Sequence, residues 1–175
     1  RRARPDLIYC ALSGFGQTGP RAAWPGHDLT YLAAAGALSR PGHWSGPARR
    51  PGVPVADTAS GLFAALAVVS ALLRRASTGE GAYLDASITD AALSLAACRG
   101  LAPPESRTHL HPANDVFTCA DGAELAAGLL EDHFFADFAR ALGEAGAPLT
   151  DPRFATVTER QTHGDALQQR LAAIF

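Results

Sequence analysis

The chain has 175 residues, 47% of them hydrophobic and 18% charged, with a formal net charge of −2. That length can bury a core and suggests one domain or one and a half. The near-neutral charge argues against a nucleic-acid or anionic-membrane partner.

Cys10, Cys98 and Cys119 are odd in number and lack C-x-x-C spacing. They fit buried thiols in a reducing cytoplasm better than a disulfide frame or a metal site. The sequence shows no signal peptide. Its longest apolar run, Gly61 to Leu73, falls short of the ~20 residues that a bilayer requires, so it reads as a buried core helix, with no membrane association. The chain begins without Met, and "LQQRLAAIF" stops inside a helical pattern, as an excerpt of a longer protein would.

In chain order, "DLIYCALSG" (6–14) reads as a buried strand closed by glycine. A turn-rich loop, "FGQTGPRAAWPG", leads to a short helix over 27–36, with Gly36 as its stop. Residues 39 to 54 hold four prolines and three glycines and read as irregular. A helix over 57–75 follows, with Asp57, Thr58 or Ser60 as N-cap and Arg74-Arg75 in its last turn. A strand in "STGEGAYLDASI" and a helix over 89–100 complete a first domain. "LAPPESRTHLHPAND" reads as a linker carrying two exposed histidines, His109 and His111. Beyond it come strands at 116–119 and 124–130, a helix over 132–146 and a last helix from "DPRFAT" onward. Strands alternating with helices, then a hairpin with helices, suggest α/β followed by α+β.

Gly14, Gly16 and Gly19 match G-x-G-x-x-G after a strand. A dinucleotide site also needs a helix opening on the last glycine and an acidic residue about twenty positions on. Pro20 and Trp24-Pro25-Gly26 follow instead, so the fingerprint is rejected, although the loop could still aim backbone N–H groups at a ligand. Ser13 lacks the G-x-S-x-G elbow of a hydrolase nucleophile.

His27, Asp57 and Glu131 each fall where a loop or strand end meets a helix start. A turn histidine, an N-cap and a first-turn acid would explain them singly. α/β sites also cluster at such places.

The blocks "LIYCALSGFGQTGP", "GHDLTYLAAAGALS", "PVADTASGLFAALAVVSALLRRASTGEGAYLDASITDAAL" and "FTCADGAELAAGLLEDHFF" resemble the family III CoA-transferases (CaiB/BaiF), and most of all their α-methylacyl-CoA racemase branch. The resemblance implies an interlocked homodimer, each subunit with a Rossmann-like large α/β domain and a small α+β domain. Residues 1–90 would then be the middle of the large CoA-binding domain, 91–112 a linker and 113–175 a truncated small domain. The family's adenine- and phosphate-binding segments would lie upstream.

The resemblance further implies catalytic roles for His27 in Gly-His-Asp, for Asp57 before the apolar helix and for Glu131 as partner of the histidine. Gly26, His27, Asp28, Leu29, Thr30 and Tyr31 would line the thioester pocket. It implies no metal and no cofactor apart from the coenzyme A of the substrate. Ala59-Ser60-Gly61 stands where the family usually has two glycines, and "HPANDVF" lacks a common aromatic; both bear on the shape of the acyl pocket.

The implied reaction inverts the carbon next to a thioester, with one basic and one protonated group on opposite faces. In this reading Asp57 is desolvated by Leu62, Phe63 and the acyl chain, Glu131 steadies the His27 imidazolium, and amides at the start of the His27 helix hold the enolate oxygen. The runner-up is a CoA-transferase that carries its acyl group on Asp57. An inactive scaffolding member is the reading of another class.

Overall fold

The computed structural model describes residues 4–39, 42–44, 50–98, 107–108 and 110–175. They fall into two compact units. The first holds β1 (Ile8–Ser13), α1 (Asp28–Ala34), α2 (Val55–Thr78), β2 (Ala82–Ser87) and α3 (Ile88–Ala97). The two strands pair in parallel, from Ile8 opposite Ala82 to Ser13 opposite Ser87. A parallel pair needs a long crossover, and here it contains α1 and α2.

Each helix ends where the sequence permits. Gly36 and Gly79 adopt φ of +72° and +75° behind α1 and α2, a left-handed geometry that costs glycine nothing. Gly81 is demanded by crowding, because a Cβ there would run into the backbone carbonyl of Leu7. Ser87 caps α3 by accepting from the Asp90 N–H at 3.1 Å. Arg74 and Arg75, in the last turns of the helix, donate to the carbonyls of Gly81 and Asp6 and tie the end of α2 to the start of both strands.

Burial differs from expectation. Tyr9 and Leu12 of β1 are exposed, and Tyr9 stacks on Tyr83 at the surface, so β1 is half-buried. The α2 helix is 24 residues long and only 28% buried over its most apolar window. By length and composition it could reach across a bilayer, so the apolar run is not too short once the helix is measured whole. Nor is α2 a buried core helix within this chain. It packs one side on α3, β1 and β2, while Leu62, Leu66, Val69 and Leu73 are more than half exposed. The core of this unit is Tyr31, Leu32, Ala56 and Ala92, ringed by Phe15, Leu38, Val55 and Ile88. None of the cysteines is fully buried, and Cys98 is exposed.

The second unit pairs β3 (Asn114–Thr118) with β4 (Glu124–Gly128) in an antiparallel hairpin, and adds α4 (Asp132–Ala141), α5 (Val157–Thr162) and α6 (Gly164–Ile174). Its core gathers Phe117, Phe135, Leu149, Phe154, Leu167 and Leu171. The helix expected to 146 stops at Ala141. Gly143 turns left-handed at φ +58°, and a 3-10 run over Gly143–Thr150 contains Pro148, which lacks an N–H for an α-helix. The single closing helix expected from "DPRFAT" is a 3-10 turn, α5 and α6, broken at His163. A capping box between Thr156 and Glu159 starts α5.

Residues 42–44, expected to be irregular, belong to this second unit although they lie between α1 and α2 in the chain. Asp115 holds them by accepting from the Trp44 N–H at 2.7 Å and pairing with His43 Nδ1 at 2.7 Å. The Trp44 indole donates to Asp165 at 2.8 Å, and its ring occupies the space that a Cβ on Gly164 would need. His111, expected to be exposed, is half-buried, and His109 lies outside the described residues. The α3 helix belongs to the first unit, which therefore runs beyond residue 90.

Candidate active site

His27 is the N-cap of α1, extended at φ −136° and ψ 169°, and is exposed. Its backbone is fixed from both sides by one side chain. Thr30 Oγ1 accepts from the His27 N–H at 2.9 Å and donates to the His27 carbonyl at 2.7 Å. Gly26 is required just before it, because a Cβ there would stand 2.5 Å from the Tyr31 ring and 2.8 Å from Thr30 Oγ1. The other side of Tyr31 is closed by Gly14, where a Cβ would lie 2.6 Å from the ring. Tyr31, buried and edge-on to Phe15, therefore locks the glycine loop after β1 to the start of α1. Within this chain Tyr31 serves the core and Thr30 the cap, while Leu29 is exposed.

Asp57 is not the N-cap of α2. That position is Pro54, which has no side-chain acceptor, and Asp57 lies in the first turn, exposed. The acceptor comes from α1: Asp28 Oδ1 takes the Ala56 N–H at 2.6 Å and the Asp57 N–H at 3.1 Å. The aspartate of Gly-His-Asp thus caps the helix of the other aspartate, which brings His27 and Asp57 to one corner of the unit. Ser60 Oγ, fully buried, donates to the Asp57 carbonyl at 2.8 Å.

The expected desolvation of Asp57 by Leu62 and Phe63 is not found. At about 100° per residue, these side chains stand about 120–140° around the helix from Asp57, and both are exposed. They line an apolar groove of about 530 Å³ with Val55, Ala59, Leu66 and Leu95. That groove opens on the side of α2 away from Asp57 and is not the surroundings of its carboxylate.

The glycine loop does not lead into a helix; the next one begins at Asp28. Gly16 and Gly19 have φ of +85° and +92°. The Gln17 N–H, which could have met a ligand, is held by both oxygens of Asp85 at 2.9 and 3.1 Å. Among the described residues no group of three His, Cys, Asp or Glu side chains could hold a metal ion.

Glu131, in the second unit, is the exposed N-cap of α4 and makes no side-chain cap. Its neighbours are gripped by a residue that sequence reasoning missed. Arg160, 2% exposed, donates to the Leu130 carbonyl at 2.8 Å, to Asp132 Oδ1 at 2.7 Å and to the Phe154 carbonyl at 3.0 Å. Its guanidinium lies 4.6 Å from the Phe135 ring centre. In sequence, "VTERQT" looks like any solvated helix, so nothing there marks a buried arginine.

All 175 residues match the sequence model of CoA-transferase family III. The chain belongs to that family. Over 184 residues it is 36% identical to an acyl-CoA transferase of Fusarium pseudograminearum, covering 100% of this chain and 40% of that protein. It is 33% identical over 154 residues to the human alpha-methylacyl-CoA racemase, covering 82% of this chain and 40% of the racemase. The crystal structure of a CAIB/BAIF family protein from Brucella suis superposes with a TM-score of 0.72 at 29% identity, over 97% of this chain and 47% of that one. The chain thus spans less than half the length of these relatives. The family contains both CoA-transferases and racemases, and the mixed α/β fold of this chain is part of the larger CaiB/BaiF fold.

Proposed function

We propose that the protein containing this chain racemises 2-methylacyl-CoA thioesters by 1,1-proton transfer. The observation that carries the reading is the Gly-His-Asp corner, where His27 stands beside the carboxylate that holds the first turn of the Asp57 helix. One of the pair removes the α-proton and leaves an enolate; the other delivers a proton to the opposite face, so no electrons are gained or lost. The orienting of the imidazole is assigned to Glu131 from the small domain of the other subunit of the proposed homodimer. The amides of Asp28 and Leu29, without intrahelical partners at the start of α1, serve the enolate oxygen as individual donors, α1 being too short for a sizeable dipole. Gly26 to Tyr31 line the thioester pocket, and coenzyme A enters only as part of the substrate.

The full-length protein acts in the cytoplasm as an interlocked homodimer. The uncovered apolar side of α2 supports a further protein surface laid over this unit, since so large an exposed apolar face is unusual on a finished domain.

A second reading is favoured by the acyl-CoA transferase among the relatives. In it Asp57 attacks the thioester carbon, releases CoA thiolate and carries the acyl group as a mixed anhydride. Hydroxylamine separates the two. The racemase reading predicts no trapping when full-length protein is incubated with acyl-CoA. Recovery of a hydroxamate at Asp57, with inactivation that depends on acyl-CoA, would establish the transferase. An inactive scaffolding member would bind no CoA thioester at all.

A further inference from the structure

We propose that Asp28 is a positioning residue that sets Asp57 against His27, an inference that rests on the racemase reading for its consequence but not for its geometry. The first-turn N–H groups of a helix need an acceptor from outside the helix, usually the side chain just before it. In α2 that position is Pro54, which can offer none. The half-buried Asp28 supplies it from the start of another helix, with a single oxygen accepting from Ala56 and Asp57 at 2.6 and 3.1 Å.

The other end of the connection is equally constrained. Asp28 follows His27 directly, and the His27 backbone is held by Thr30 through both its N–H and its carbonyl. The path between the two proposed acid/base residues is therefore one peptide bond, one carboxylate and one hydrogen bond. Asp28 and Pro54 are 54 − 28 = 26 positions apart in the chain, so closeness in sequence does not set that spacing. Inversion demands that two groups flank one carbon, whereas proton exchange on a single face demands only one of them. A loosened clamp should then harm inversion more than exchange, and a misplacement near 1 Å is enough to lose on the order of 10²-fold in rate.

The test uses full-length protein carrying Asp28→Ala, Asp28→Asn or Asp28→Glu. Each is incubated with a single epimer of 2-methylacyl-CoA in heavy water, and α-deuterium incorporation and inversion are followed together. Amide hydrogen exchange is measured in parallel over the first turn of α2. Asp28→Ala should lower inversion about 10-fold or more relative to exchange, and should speed amide exchange at Ala56 and Asp57. Asp28→Asn keeps the acceptor in place without its charge and should restore the ratio. Asp28→Glu keeps the charge but displaces it by one methylene, so it should stay uncoupled even if Asp28→Ala does not fold.

A folded Asp28→Ala or Asp28→Glu protein with the wild-type ratio of inversion to exchange would overturn the proposal. So would unchanged amide protection at Ala56 and Asp57. If the wild type inverts nothing, the racemase reading fails, and the amide exchange still decides whether the clamp exists.

Discussion

Replacing Arg160 by alanine should destabilise the second unit by about 2–5 kcal/mol, chiefly through the two carbonyls it leaves without a donor. The composition of that loss can be read from the structure. Asp132, the anionic partner, is 51% exposed at its side chain and can rehydrate, so it contributes little. The carbonyls of Leu130 and Phe154, which accept at 2.8 and 3.0 Å, lose their donor in the interior at roughly 1–3 kcal/mol each. The rest is the void left beside Phe135. Arg160→Lys keeps the charge but replaces a planar fork by one ammonium, so it should lie between alanine and wild type. Arg160→Met fills the space yet leaves both carbonyls unpaired, and it should not reach wild type either. Urea unfolding of the full-length protein, followed by far-ultraviolet circular dichroism, reads the shift of the transition that reports this unit. If Arg160→Ala lies within about 1 kcal/mol of wild type, water replaces the guanidinium and the reasoning is wrong.

Gly26→Ala should cost about 1–3 kcal/mol as an overpacking change, because Tyr31 has no room to retreat from Gly26 towards Gly14. A thermal melt checks it, and turnover should fall as the start of α1 is displaced. The Arg153 guanidinium and N–H beside Asp151 hold that carboxyl down at about 2, below its ordinary 3.8. Its contribution is therefore present above pH 3.8 and is lost as the pH falls through about 2. Carboxyl-carbon NMR should find it still ionised near pH 3, and Arg153→Gln should return it towards the ordinary range.

The elements with clear periodicity were legible in the sequence: β1, α1, α2 and α3 all fall where apolar spacing and glycine stops place them. Burial was not legible for α2, because composition says only that a helix seeks cover and not which chain provides it. The cap of α2 was misplaced for a related reason. Local rules look for Asp57, Thr58 or Ser60, whereas the acceptor comes from Asp28, far upstream. The anchoring of Trp44 by Asp115 and Asp165 rests on partners about 70 and 120 residues away, invisible in a loop of prolines and glycines. His27 and Asp57 were found by family resemblance. What the structure adds is the carboxylate that connects them, and the finding that Leu62 and Phe63 face elsewhere.

The racemase account is tested most directly by epimer-resolved exchange in full-length His27→Ala and Asp57→Asn proteins. Two separate acid/base groups predict that either change lowers racemisation by on the order of 10²-fold or more. One epimer of 2-methylacyl-CoA should still exchange its α-proton with deuterium in His27→Ala, and the opposite epimer in Asp57→Asn. Racemisation near the wild-type rate in both variants would contradict the account and leave His27 and Asp57 as helix-start residues only.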